Sequence, residues 1–204
     1  MKINNFIIGT GFEKVNLRLY LAMKKQLFLY LGIFLFFISC QKESIDKVNS
    51  TNTAIIQKVK QLYNQYGKSN EAVYNKPIPD DLFSPELKKT LETAINASKA
   101  DIEKVKNSDH PDEKPLIFEG AIFSSLYEGY NSYTIKNINV HDQTAEALVQ
   151  FEYNMTSPKV VWEDKIQLID SDKGWKIDNI IFDSIGNSKD LKTSLTKFIQ
   201  YTKQ

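Results

Sequence analysis

The chain reads as an α+β protein, helices first and then a curved antiparallel sheet, and three observations predict this. Apolar residues recur at helical spacing over 54–66 and again over 87–105, and from Leu116 the pattern changes to alternation. The alternating runs are joined by short turn-rich segments, as in hairpins. The alternation slips by one residue at Lys136-Asn137 and at Asp178-Asn179, and a slip of one residue is what a β-bulge produces. Bulges bend a sheet, so the meander is expected to be curved.

Taken in order, the chain opens with residues 1–22, which precede a second methionine. Met23 starts a segment that is complete in itself: Lys24 and Lys25, an uncharged apolar run from Leu27 to Ile38, then Ser39 and Cys40. Twelve apolar residues are too few for a bilayer core of about 30 Å, which takes roughly 20 helical residues, but suit the apolar part of a signal peptide. The segment resembles a bacterial lipoprotein leader, with Ser39-Cys40 similar to the end of a lipobox although Phe37 and Ile38 depart from its usual form. That resemblance implies a signal peptide over 1–39, a true start at Met23, lipidation of Cys40, and a cell-envelope location at the outer membrane. Residues 40–53 carry two isolated apolar residues and are expected to form a polar tether. Gln41 at the position after the cysteine resembles outer-membrane sorting, and Lys42-Glu43 resembles a short charged surface-export signal.

Composition narrows the functions open to the rest. Residues 1–39 hold five of the 26 basic side chains and one of the 25 acids, so the part from Cys40 onward has 21 bases against 24 acids, a net charge of −3. Arg18 is the only arginine, which leaves no guanidinium fork for phosphates or base edges beyond the leader, and nucleic acid is not an expected partner. Cys40 is the only cysteine, so no disulfide or thiol nucleophile is available to the folded part. The 165 residues from Cys40 suffice for one domain, placed at 54–204.

Within that domain the first helix is expected over 54–66, with Ile55, Ile56, Val59, Leu62, Tyr63 and Tyr66 on one face and Gly67 as its C-terminal cap. A loop with Pro77 and Pro79 follows. Ser84-Pro85-Glu86 supplies an N-cap, a first-turn proline and a first-turn acid for a second helix ending near Asn107. Residues 107–115 read as a crossing loop. Its Asp109, His110, Asp112 and Glu113 match no metal-binding spacing, and His141 reads as a surface residue; neither a metal nor a cofactor is expected. Strands are expected over 133–140, 145–153, 160–168 and 175–182, and a short helix over 190–201, marked by Leu191, Leu195, Phe198 and Ile199.

The run Leu82-Phe83-Ser84-Pro85-Glu86-Leu87, the alternating strand 145–153 and the segment Gly174-Trp175-Lys176-Ile177-Asp178-Asn179-Ile180 together resemble the cone-shaped nuclear-transport-factor-2-like (cystatin-like) fold. More narrowly, residues 53–201 resemble the bacterial lipoproteins grouped as domain of unknown function 3828. The resemblance implies a cone of helices on a curved sheet and brings no catalytic residues.

Two function classes follow. A binding module would present the concave sheet or a tyrosine-rich rim to a small ligand or an envelope protein, with Phe123, Tyr127 and Tyr130, close to Gly120 and Gly129, as its contact residues. The bland alternative is that these rings close the open end of the cone as core. An enzyme, an isomerase or hydrolase, would rest on Asp164, the one acid in phase with the apolar residues Val160, Trp162, Ile166 and Leu168, together with tyrosines. Asp164 is expected at the sheet rim or in a structural hydrogen bond, which favours the binding module. An inhibitor or immunity-type protein is a third class that these residues do not separate from the first.

Overall fold

The computed structural model describes residues 48–67 and 70–203. The chain divides into two units, Met1–Ser50 and Thr51–Gln204, and the architecture below is that of the second. The leader, Cys40 and residues 41–47 lie outside the described residues. None of the described helices is long and apolar enough to cross a membrane.

The protein is α+β. Its elements in order are α1 (48–66), α2 (Glu71–Asn75), α3 (Pro85–Lys106), β1 (Ser132–His141), β2 (Thr144–Tyr153), β3 (Val160–Ile169), β4 (Lys176–Ile181) and α4 (Leu191–Tyr201). The four strands form one antiparallel sheet in the order β1-β2-β3-β4, so each hairpin joins sequence neighbours. Both expected bulges are present. Lys136 has no partner between the pairs Ile135↔Val149 and Asn137↔Leu148, and Asp178 has none between Ile177↔Leu168 and Asn179↔Gln167.

Three differences from the sequence expectation have physical causes. Helix α1 is already formed at residue 48, six residues before the expected start at Ala54. Apolar periodicity could not reveal that turn, because residues 48–50 are exposed. Helix α2 lies in the expected loop, and five residues with Val73 as the one buried side chain are too short to show a period. Residues 116–131 form no strand: Gly120 and Gly129 sit at φ of 65° and 81°, so the segment folds into consecutive turns and alternation begins at β1.

One core lies on the inward face of the sheet. Ala147, Val149 and Phe151 of β2, Trp162, Ile166 and Leu168 of β3, and Ile177 and Ile180 of β4 are buried against Ile55, Val59, Leu62 and Tyr63 of α1 and Leu87, Leu91, Ala94 and Ile95 of α3. Trp175 is also buried in that cluster. Ser84 caps α3, its Oγ accepting from the Leu87 amide at 3.1 Å. Asp190 caps α4 by accepting from the Thr193 amide at 2.9 Å and the Thr193 hydroxyl at 2.8 Å. Lys192 of α4 then ties three elements, reaching Glu86 of α3 at 2.8 Å and the bulged Asp178 of β4 at 2.9 Å.

Candidate functional site

Phe123, Tyr127 and Tyr130 converge on one pocket. It has a volume of about 550 Å³ and is bounded by the end of α1 at Tyr66 and Gly67, by Asn70, and by the loop from Gly120 to Asn131. That volume falls in the range of about 300–1,000 Å³ usual for small-molecule sites.

Polar hooks from the helices hold the loop. The Asn70 side chain donates to the Phe118 carbonyl at 3.2 Å and to the Gly120 carbonyl. Tyr74 of α2 accepts from the Phe118 amide at 2.9 Å, and its hydroxyl meets Ser98 Oγ of α3 at 2.8 Å. Ser98 is bonded in turn to the Leu116 carbonyl at 2.8 Å. The short helix that sequence periodicity missed is therefore what anchors the first half of the loop. The loop closes on itself through the Ala121 amide, which donates to the Tyr127 carbonyl at 2.8 Å.

The three rings play different parts. Phe123 is 2% exposed, forms the pocket floor and stacks in the core against Phe83 at 6.1 Å. Tyr130 is half-buried, edge-on to Tyr63 at 5.7 Å and packed on Phe151 at 4.9 Å. Tyr127 is 52% exposed. Its ring rests against the backbone of Gly120, where a Cβ would meet the ring carbon Cδ2 at 2.5 Å, and its hydroxyl reaches Glu119 at 3.5 Å. Gly120 at φ 65° is thus doubly required, for the turn and for the ring lying on it. Tyr127 is an aromatic surface held in place on one side and open on the other.

The phenols of Tyr66 and Tyr130 at the pocket are held in their protonated form. Burial pushes the Tyr130 hydroxyl well above the ordinary tyrosine value, with Tyr133 adding to it. Burial likewise raises Tyr66, with a smaller contribution from Asp81. Among the described lining residues Glu128 is the one carboxylate, and none is Lys, Arg or His. The arrangement offers aromatic contact, amide groups of Asn70 and Asn131, and one acid.

Asp164 is elsewhere, and of its two expected placements, the sheet rim or a structural hydrogen bond, it takes the second. It is fully buried, not at the sheet edge. Its Oδ2 accepts from the Ser125 amide at 2.9 Å and from Trp162 Nε1 at 3.4 Å, while its Oδ1 accepts from the Ser125 hydroxyl and from the Asp183 amide at 3.0 Å. Burial raises its proton affinity above that of an ordinary carboxylate, and these hydrogen bonds pull the other way. The carboxylate ties the loop at Ser125 to β3 and to the chain leaving β4, which makes it a structural hydrogen-bond centre with both oxygens occupied. An enzyme built on Asp164 would need this network opened before a substrate touched it.

No known protein family matches the chain, and no curated protein is similar to it. Function rests on the chemistry of the sites themselves. No group of three or more potential metal ligands occurs among the described residues, and His141 is exposed beside Asp142 at 3.3 Å.

Proposed function

We propose that this protein is a non-catalytic binding module of the cell envelope, held to the outer membrane by a lipid on Cys40, which presents the Tyr127 pocket to a small molecule or a short segment of an envelope protein. The observation that carries the binding reading is the convergence of Phe123, Tyr127 and Tyr130 on a pocket of about 550 Å³ with an aromatic ring held open to solvent. Concave sites of this size that combine aromatic rings with a few placed polar groups are where small ligands bind. The membrane anchor rests on the leader and the single cysteine at its end. The cone of the nuclear-transport-factor-2-like fold, and membership of the uncharacterised lipoprotein group, are part of the same proposal. The cone is supported by helices packed on one face of a twice-bulged antiparallel meander, and the group membership rests on the sequence resemblance of residues 53–201 alone. An inhibitor or immunity-type protein would be the version of this reading in which the bound segment belongs to another protein.

Two measurements test the proposal. Palmitate labelling and detergent partitioning of wild type and Cys40→Ser should show a labelled, membrane-bound wild type and an unlabelled variant. An unlabelled, fully soluble wild type overturns the anchor. A small-molecule library screened by ligand-observed NMR should give binders that wild type retains and that Tyr127→Ala and Gly120→Ala lose. Binders that survive both changes, with both variants folded, would move the site away from this pocket.

A further inference from the structure

A second concavity runs along the free edge strand, independent of the Tyr127 pocket. Its volume is about 580 Å³. One wall is a stripe of α1, Asn52, Ile56 and Lys60, whose spacing of four places them on one helix face. The other wall is β1, with Tyr133, Ile135 and Ile138 half-buried and on the inward side of the sheet, opposite Phe151, Val149 and Ala147. Tyr63 of α1 packs on Phe151 of β2 at 5.1 Å and on Tyr133 of β1 at 5.0 Å, and the inward residues of β1 remain half-exposed.

Among the described residues the charge lining this groove is one-signed. Lys60 and Lys136 both line it, and neither has an ion-pair or hydrogen-bond partner among the described residues. No acid is among its described lining residues, in a domain whose net charge from Cys40 onward is −3. Lys136 is the bulged residue of β1, freed from the ladder by the register shift. Bulges commonly re-aim a side chain in this way. A half-covered apolar floor with two free cations at its side complements one ligand type: an apolar body carrying an anionic head.

We propose that the groove between α1 and β1 binds a small amphipathic anion, an acyl chain with a carboxylate or phosphate head, with Ile56, Ile135 and Ile138 contacting the chain and Lys60 and Lys136 contacting the head. Its source is either a free fatty acid or an anionic lipid. The test uses the full chain in nanodiscs of zwitterionic lipid, with octanoate as the probe and octanol and octylammonium as its neutral and cationic counterparts. Isoleucine-methyl NMR reads the contact. Octanoate should shift the Ile56, Ile135 and Ile138 methyl signals, octylammonium should not, and octanol should bind more weakly. The pair Lys60→Gln and Lys136→Gln should weaken octanoate by about tenfold, as expected for two partly exposed charge pairs. Ile138→Asp should abolish it.

Nanodiscs with added phosphatidylglycerol distinguish the sources. Shifts with octanoate assign a free fatty acid; shifts with phosphatidylglycerol alone, lost in the double lysine variant, assign a lipid head. Equal binding of octanol and octanoate, unchanged affinity in the double lysine variant, or no methyl shift with either octanoate or phosphatidylglycerol would each overturn the proposal. The Tyr127 pocket is unaffected by these changes, so its own screen fails or succeeds separately.

Discussion

Replacing Asp164 should separate a structural carboxylate from a working one, and the size of the effect follows from its partners. Asp164→Ala leaves the Ser125 amide, the Ser125 hydroxyl and the Trp162 indole N–H without their acceptor, while the Asp183 amide keeps Ser125 Oγ at 2.7 Å. Each stranded buried donor costs about 1–3 kcal/mol, offset in part because the buried charge is removed too, so a net loss of about 3–4 kcal/mol is expected. At roughly 2–4 °C per kcal/mol for a chain of this size, the melting temperature should fall by about ten degrees.

Asp164→Asn is milder. Its amide nitrogen can replace Oδ1 and donate to Ser125 Oγ, whose own hydrogen turns away, and its oxygen still accepts from the Ser125 amide. The remaining conflict is with the Asp183 N–H, worth about 1–2 kcal/mol. The pH dependence gives the sign. The folded carboxyl is raised by burial, so the cost of ionising it is absent below the unfolded value of about 4 and grows as pH rises toward the folded value. The Asn penalty relative to wild type should therefore be larger in acid than at neutral pH. Urea unfolding of the three proteins across that range decides it. An Asp164→Ala variant melting within two or three degrees of wild type would refute the structural role, and an Asn penalty that grows with pH would show that the hydrogen bonds outweigh burial.

Two further predictions concern the frame. Asp190→Ala removes the acceptor that caps α4 and should cost about 1 kcal/mol at neutral pH. Burial alone would raise Asp190, but its bonds to Thr193 and Asn179 outweigh that and hold it below the ordinary carboxylate value. Its contribution is thus present above the unfolded value near pH 4 and lost as pH falls through the folded one, and thermal melts in acid should show a shallower decline for the variant. Trp175→Ala empties a site that is 7% exposed and should cost about 3–5 kcal/mol by urea titration. A loss under about 1 kcal/mol would remove Trp175 from the core.

The frame was legible wherever burial imposes a period. Strand β2 alternates because one face meets the helices, and its inward residues Ala145, Ala147, Val149 and Phe151 are all buried. The α3 start was readable from Ser84-Pro85-Glu86 because a cap is a local bargain between one hydroxyl and one amide. What stayed hidden has no period to show. The loop 118–131 is held by single side chains reaching across the chain, Asn70 over 50 residues and Asp164 over 39, and no local pattern records such pairs. Asp164 sat correctly in phase with the inward face, but phase alone could not tell rim from interior. Its depth is set by Ser125 and Asp183, which arrive from other segments.

The two bulges link the legible and hidden parts. Each was visible as a one-residue slip, and each releases a charged side chain from the ladder that alternation would otherwise constrain. At β4 the freed Asp178 meets Lys192 and so locks α4 and, through Glu86, α3 onto the sheet. At β1 the freed Lys136 meets no acid among the described residues, and the strand beside it keeps its inward apolar residues half-covered. The same backbone device therefore ends in a satisfied ion pair on the side that is closed by helices and in an unsatisfied cation on the side that is open. An unpaired cation costs the fold little at an exposed position, where an ion pair would add at most about 1 kcal/mol. It gains most when a ligand excludes water from it, and a half-covered groove is where that can happen.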